Sequence, residues 1–509
     1  MKLKFIIGLS SVLCWNAMTV PAQSAFAQGS GATASKQNEG GATNELAQLK
    51  QLLLQMQERF EKSQGEQRQQ IESLQRELAV LQQNQLTNQI RLTGDATNAV
   101  AGPERSPDST ASALLPTTAP LSAPLTLARA GSAYMNISFD VLMDVGGSTM
   151  ADPSKLLELG DHDPSNNGFS LRNAEIAIDG AVDPYFKGYG NIVYKLDQNN
   201  ETGVELEEAY LVTTSLPDNL QVKAGQFFAA FGRQNSQHPH SWAFVDQPII
   251  MNRTLGPDGL RNVGAQLSWL APTPFYTEAF LGVFNGQGGT AFSFRNEGQD
   301  VDGVPRMHGR QTIDRTLRGP GDMLFVPRLT SSFELTDEQT LVVGASAAFG
   351  PNDTGANKRT EIYGVDLYWK WKPADAHAGW PFVSWQTEGN YQNFQAAANL
   401  TNAPAGYASL PAETLDDWGL YSQVLWGFKE RWVAGLRGEY ANGNAGAYNP
   451  DDIYRNERTR ISPALTFFSS EFSKVRLQGN YDHGKLFGDQ YSIWLQVEFM
   501  LGAHGAHKF

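Results

Sequence analysis

Two imidazoles lie two residues apart in His238-Pro239-His240, on a segment that also carries Arg233, Trp242, Asp246 and Arg253. Histidines at this spacing can contact a passing solute or a borderline metal ion, because a neutral imidazole nitrogen is a donor to either. The same residues serve equally to pack a loop against a wall through hydrogen bonds. His504 and His507 form a second pair, with no carboxylate at ligand spacing. Hydrolysis would need a nucleophile, a base and an orienting group on neighbouring elements. His483 beside Asp482 is the one histidine on a predicted strand that invites this reading. Adjacent strand residues point to opposite faces, so the two cannot cooperate. The expectation is therefore no enzyme, no cofactor and no assigned metal.

The other candidate chemistry is ionic. On Thr360–Lys372, alternation puts Tyr363, Val365, Leu367, Trp369 and Trp371 on one face and Asp366, Lys370 and Lys372 on the other. On Arg431–Ala441, Trp432, Ala434 and Leu436 face outward, leaving Arg431, Arg437 and Glu439 inside. On Lys474–Lys485, Lys474, Arg476 and Asp482 oppose Val475, Leu477 and Tyr481. Lys187 and Lys195 fall inward on an earlier strand. Arg or Lys at mid-membrane on a lipid-facing position costs roughly 2–4 kcal/mol, so these groups belong on a wet side.

The elements that position them are strands. From about Tyr134 onward the chain has no long apolar run, and Thr340–Phe349 shows period-2 alternation. Sixteen such spans are predicted: Tyr134–Val145, Phe169–Val182, Tyr185–Leu196, Val204–Thr213, Leu220–Phe228, Leu260–Leu270, Phe275–Asn285, Met323–Leu335, Thr340–Phe349, Thr360–Lys372, Trp380–Phe394, Asp417–Phe428, Arg431–Ala441, Arg458–Phe468, Lys474–Lys485 and Tyr491–Leu501. Tight Pro/Asp/Asn turns alternate with long loops, notably Gly232–Gly259. An even strand set of this kind is the signature of a transmembrane antiparallel β-barrel, which pairs every backbone group without an edge. About sixteen strands predict a water-filled lumen. The implied role is passage across an outer membrane.

Lys2 and Lys4, apolar Phe5–Leu13 and Ala25-Phe26-Ala27 predict a signal peptide over 1–27. Its Cys14 is the only cysteine of 509 residues, so a processed chain would have no disulfide. Residues 28–43 read as disordered. Over 44–92, Leu46, Leu49, Leu53, Met56 and Phe60, then Ile71, Leu74, Leu78 and Leu81, follow heptad spacing with a slip near Gln64–Gln67. This predicts an α-helical coiled coil in the periplasm, and a homotrimer if the barrel is trimeric. Residues 93–131 are rich in Ala, Pro, Ser and Thr and read as a flexible linker to a barrel over 132–509.

The barrel resembles the phosphate-selective porin O and P family of outer-membrane porins. The resemblance rests on Phe169-Ser170-Leu171-Arg172, Ala174-Glu175-Ile176, Gly188-Tyr189-Gly190, Glu207-Glu208-Ala209-Tyr210-Leu211, Val222–Phe227, Phe231-Gly232-Arg233, Gly256–Leu260 and Gly264. It implies an inward-folded third loop narrowing the pore through Arg233, His238, His240, Asp246 and Arg253. Terminal Phe509 is similar to the aromatic read by barrel assembly machinery. The implied partners are outer-membrane lipids, lipopolysaccharide and small hydrophilic solutes, with no nucleic acid.

Charge departs from a phosphate-selective pore, which needs cationic groups along its path. From Ala130 onward 28 Lys and Arg stand against 43 Asp and Glu, favouring cations or neutral solutes. The strongest basic cluster, Arg295, Arg306, Arg310, Arg315 and Arg318, is expected in one long loop. It either funnels anions or lipopolysaccharide, or is simply a mobile, solvated loop. A plug-free siderophore or metal-chelate transporter, or an envelope tether, would share most of these features.

Overall fold

The computed structural model describes residues 125–130 and 133–502, apart from 182, 198, 297, 302–303, 400–408 and 445. The signal peptide, the coiled coil, most of the linker and Phe509 lie outside the described residues. No helix among the described residues is long and apolar enough to cross a membrane.

Alternating apolar and polar positions form strands throughout. In chain order these are β1 (Leu125–Ala130), β2 (Ala133–Ser148), β3 (Gly168–Ala181), β4 (Phe186–Leu196), β5 (Thr202–Thr213), β6 (Leu220–Phe228), β7 (Arg261–Leu270) and β8 (Tyr276–Phe284). Short β9 (Gln299–Val301), β10 (Val304–Met307) and β11 (Arg310–Gln311) form a separate loop sheet. Then come β12 (Leu324–Thr336), β13 (Gln339–Pro351), β14 (Arg359–Trp371), β15 (Phe382–Ala396), β16 (Glu413–Lys429), β17 (Trp432–Gly443), β18 (Arg458–Ser470), β19 (Ser473–Gly484) and β20 (Gly488–Leu501).

β2–β8 and β12–β20 pair antiparallel with their chain neighbours, and β8 pairs with β12 in the register Leu324↔Phe284 to Ser332↔Tyr276. β20 closes on β2 from Phe139↔Leu501 to Ser148↔Ser492. The result is a closed sixteen-strand antiparallel barrel, and each of the sixteen predicted spans overlaps one of its strands. β1 was not expected: it pairs with β2 from Leu125↔Ile137 to Ala130↔Ala133, inside the span read as a flexible linker.

The pleat sorts the two faces. On β20, Tyr491, Ile493, Leu495, Val497 and Phe499 are exposed, while Ser492, Trp494, Gln496 and Glu498 are buried. Val365, at 65% exposure, and Leu436, at 55%, are as open as surface residues, yet Asp366 and Arg437 beside them are buried. An apolar outside around a polar inside is the inverse of a soluble fold. Two-residue connections such as Asp337-Glu338 and Glu471-Phe472 lie at one end, and Asp218 and Asn219 turn there with φ of 58°. The opposite end carries the long connections 149–167, 229–260 and 285–323.

The interior is fuller than sixteen strands alone imply. Phe231, Ile250, Met251 and Leu255 from the 229–260 loop join Ala291 and Phe294 from the 285–323 loop. Together they pack on the barrel's own Phe227, Phe284, Leu324, Ile362 and Tyr421. Burying a Leu- or Phe-sized side chain stabilises by about 1.5–3 kcal/mol, so this cluster fixes both loops.

Candidate functional site

The 229–260 segment leaves β6 through Gly232, whose φ is 60°, a left-handed conformation that glycine adopts without penalty. A side chain there would strike the Glu388 carboxylate. The bare backbone instead donates N–H groups to Ser346 Oγ from Gly232 (3.0 Å) and to Glu388 from Arg233 (2.9 Å) and Gln234 (2.8 Å). Arg233 lies 4.0 Å over the Tyr368 ring. At Gly364, an added Cβ would sit 2.7 Å from the Phe231 ring, so the missing side chain admits the loop.

His238 and His240 meet an acidic wall formed by β2, β3 and β5. His238 Nδ1 lies 2.8 Å from Glu207 Oε2 and Nε2 lies 3.0 Å from Glu208 Oε2. A carboxylate against each nitrogen favours the imidazolium form, although the Asn191 amide nitrogen also lies 3.1 Å from Nδ1. Burial opposes that charge, but the Glu207 and Glu208 carboxylates outweigh it and hold the pKa well above the ordinary histidine value. Glu207 and Glu208 are consecutive yet both buried. A bulge explains this: Asn191 pairs with Glu208 and Ile192 with Leu206, so Glu207 is the extra residue and turns inward with its neighbour. His240 stacks on His238 at 5.7 Å and 25° and faces Asp140 and Glu175.

Asp246 meets a basic wall on β17, β18 and β19. Arg437 Nη2 and Arg460 Nη1 donate to its two carboxylate oxygens, the latter at 2.5 Å. Gln478 and Asn480 add amide donors at 2.8 and 3.1 Å. Burial would raise the Asp246 pKa, but Arg437 and Arg460 hold it below the usual carboxylate range. Arg460 also reaches Asp482 (2.9 Å) and Glu158 (3.0 Å), and Arg458 donates to the Leu156 (2.6 Å) and Leu157 (2.9 Å) carbonyls. Arg460 thus clamps the 149–167 and 229–260 loops together, and Arg458 adds a second hold on the first. Helix α1 (Ile249–Leu255) donates the Ile249 N–H to Glu439 at 2.7 Å, and its Arg253 donates to the Asn456 carbonyl at 2.7 Å.

The sequence-predicted lumen charges fall at three depths. Arg437, Glu439, Lys474, Arg476 and Asp366 are buried on the inner face. Arg437 pairs with Glu439 at 2.7 Å and Asp366 with Arg328 at 2.6 Å. Lys474 and Arg476 donate to the His240 and Trp242 carbonyls. Lys195 pairs with Asp161 and with Glu205 at 2.9 Å. Lys370 sits 5.8 Å from the Phe382 ring at the short-turn end of β14. Lys187 and Lys372 are exposed near that end.

Arg431 is a correction. It is not an inner strand position but occupies the Glu430-Arg431 turn with φ of 70°, exposed beside Glu430. The basic loop cluster is a second correction, because four of its five cations are committed locally and only Arg318 is exposed, with no side-chain bond among the described residues. Arg310 pairs with Glu413 at 2.5 Å, Arg315 with Asp322 at 2.8 Å, and Arg295 donates to the Arg315 carbonyl.

Several buried residues of the site were not singled out from the sequence. Alternation would have found Arg458 and Arg460, two apart on β18. Alternation equally marks Glu388 on β15 and Glu498 on β20, each opposite its partner, Tyr421 or Lys474, on the next strand. Glu158 carries no spacing signal, because it lies in a loop and its partners Arg460 and Trp494 are hundreds of residues away. A cavity of about 750 Å³ lies beside the loop, lined by His240, Trp242, Val433, Thr466, Lys474 and Arg476 among others.

A protein of Aquifex aeolicus is 34% identical over 362 residues, covering 67% of this chain and 70% of the relative. The chain belongs to that protein's family. The relative is described only as an uncharacterized protein, so membership carries no function with it. No protein-family model matches. Solved structures similar to the chain include the outer membrane channel DcaP of Acinetobacter baumannii (11% identity, TM-score 0.46, covering 73% of this chain and 98% of that one). An anion-selective porin from Comamonas acidovorans follows (8%, TM-score 0.44, 72% and 100%), as does a trimer form of OmpT from Vibrio cholerae (9%, TM-score 0.43, 72% and 99%). Likeness at these identities and scores adds nothing to what the barrel's own strand register establishes.

Proposed function

We propose that this protein is an outer-membrane channel for passive diffusion of small hydrophilic solutes, narrowed by its 229–260 loop. The observation that carries the reading is one segment hydrogen-bonded to inward side chains of β13, β15, β17 and β19 and ion-paired on β5, inside a closed barrel with an apolar exterior. The loop's charges match its surroundings, with the His238 cation on the acidic wall and the Asp246 anion on the basic one. Short turns face the periplasm in this reading, and the amino-terminal heptads hold a homotrimer together.

Phosphate selectivity is not part of the proposal. Arg437, Arg458 and Arg460 all bond to carboxylates, and an anion passing them would have to displace those partners. The acidic barrel gives a weak cation preference instead. Single-channel conductance in planar bilayers, with reversal potentials in a salt gradient and phosphate as competitor, tests the reading. Ohmic steps with weak cation preference are expected. Anion preference with phosphate block would reinstate the phosphate reading, and no channel would overturn the proposal.

A further inference from the structure

His240 does not share the clamped arrangement of His238. Its Nδ1 lies 3.4 Å from Glu175 Oε2 and 3.6 Å from Asp140 Oδ2. Those separations are too long for good N–H···O hydrogen bonds. They match the donor–donor edge of a tetrahedral Zn²⁺ site, about 3.3 Å for ligand bonds of 2.0–2.1 Å. All three donor atoms lie within 4.8 Å of one another.

The surroundings also call for positive charge. Asp140 and Glu175 stand directly opposite each other in the β2–β3 register, where like charges repel. Both are fully buried, and neither carboxylate oxygen of Asp140 has a hydrogen-bond partner among the described residues. A buried polar group left in that condition is costly. Of the neighbouring cations, Lys474 pairs with Glu498, Lys223 lies 3.7 Å from Glu208, and His238, held by Glu207 and Glu208, comes within 3.7 Å of Glu175 and makes no ion pair with Asp140.

We propose that Asp140, Glu175 and His240 bind one divalent transition-metal ion of the Zn²⁺ class. One imidazole nitrogen and two carboxylate oxygens suit Zn²⁺ better than Mg²⁺ or Ca²⁺, which prefer all-oxygen shells. Three protein ligands leave the fourth position to water. The ion neutralises the Asp140–Glu175 repulsion and staples the 3₁₀ turn Pro239–Ser241 to the barrel wall. The trio of Glu175, Glu207 and His238 is not the site, because His238 already lies 2.8 Å from Glu207 and 3.0 Å from Glu208, which is hydrogen-bond distance at each nitrogen.

The test uses full-length, metal-stripped protein folded in detergent and titrated with Co²⁺. The expected result is one Co²⁺ per chain with the intense visible absorption of a tetrahedral site, displaced by Zn²⁺. His240→Gln and Asp140→Asn should each weaken binding by roughly tenfold or more. Asp489→Asn, at the exposed His483–Asp489 pair, should leave it unchanged. Heat-modifiable gel migration checks that the variants retain the barrel. X-ray absorption on the wild-type Zn²⁺ form, which needs no variant, should show an N/O shell near about 2.0 Å. No Co²⁺ binding, a six-coordinate spectrum, or equal binding by folded variants would overturn the site. None of these readouts uses conductance, so failure here and failure of the channel reading are distinguishable.

Discussion

His238 shows how one buried cation between two carboxylates helps to hold the 229–260 loop. It is 2% exposed and lies between Glu207 and Glu208, with the Phe228 ring at its edge at 5.6 Å. His238→Leu would fill the same space and strand two buried carboxylates. Removing one partner of a buried pair costs about 3–5 kcal/mol, because the charge left behind is uncompensated. Denaturant unfolding of the variant in detergent should show a loss of that order. Single-channel traces should become larger and noisier as the loop leaves the acidic wall. A variant as stable and quiet as wild type would mean that the pair only decorates a loop fixed by its apolar cluster. His162 makes a related clamp. Burial would lower its pKa, but Asp258, Glu207 and Asp161 hold it up at about 9. Its stabilisation is therefore complete below the unfolded value of 6.5 and is lost as pH rises through about 9.

The two lumen-facing loops act as one element because Arg460 binds both, reaching Glu158 and the Leu157 carbonyl in one and Asp246 in the other. Arg460→Met would leave Glu158, Asp246 and Asp482 without a shared cation, and should free the 149–167 and 229–260 loops together. Protease digestion from the long-loop side should then cut both segments, whereas cutting of only one would separate them.

The same contact is pH-sensitive. Asp163 accepts the Gly160 N–H at 2.7 Å and the Gln247 N–H at 2.8 Å, and so bridges the two loops. Burial, then the nearby Asp246 charge, pushes its pKa up to about 7, and burial likewise pushes Glu158 up to about 8. A carboxyl whose pKa is raised on docking favours the docked state when protonated. That contribution is full below the free value near 3.8 and vanishes as pH climbs through about 7. Conductance should therefore rise between about pH 4 and pH 7 as the loops loosen. Asp163→Asn should flatten that step, and an unchanged step would assign it to another group.

For the molecule as a whole, the pleat sets which substitutions a membrane tolerates. Val365 and Asp366 are neighbours on β14 with opposite exposures, 65% and 5%. Val365→Arg places a cation on the lipid face and should cost roughly 2–4 kcal/mol at mid-membrane, read by equilibrium unfolding from lipid vesicles. A negligible cost would argue that this face does not meet lipid.

Alternation alone was enough to locate all sixteen barrel strands, because a strand between lipid and a polar interior must repeat every two residues. It also put Arg437, Glu439, Lys474 and Arg476 on the inner face. Turn residues such as Asp218-Asn219 marked the short-turn end. Composition hid β1, since Leu125–Ala130 is ordered by pairing with β2 and not by its own pattern. Arg431 was misplaced by one residue of strand boundary, because β17 begins at Trp432 and Arg431 belongs to the turn before it. Only the tertiary structure brought Glu207 and Glu208 inward together, through a bulge that breaks the very period used to read the strand. Only it showed that Arg295, Arg306, Arg310 and Arg315 of the basic loop are consumed by Glu413, Asp322 and backbone carbonyls. The partners of His238, His240 and Asp246 come from strands on different walls of the barrel. Sequence order carries no signal for contacts that exist because a closed sheet brings its first strand against its last.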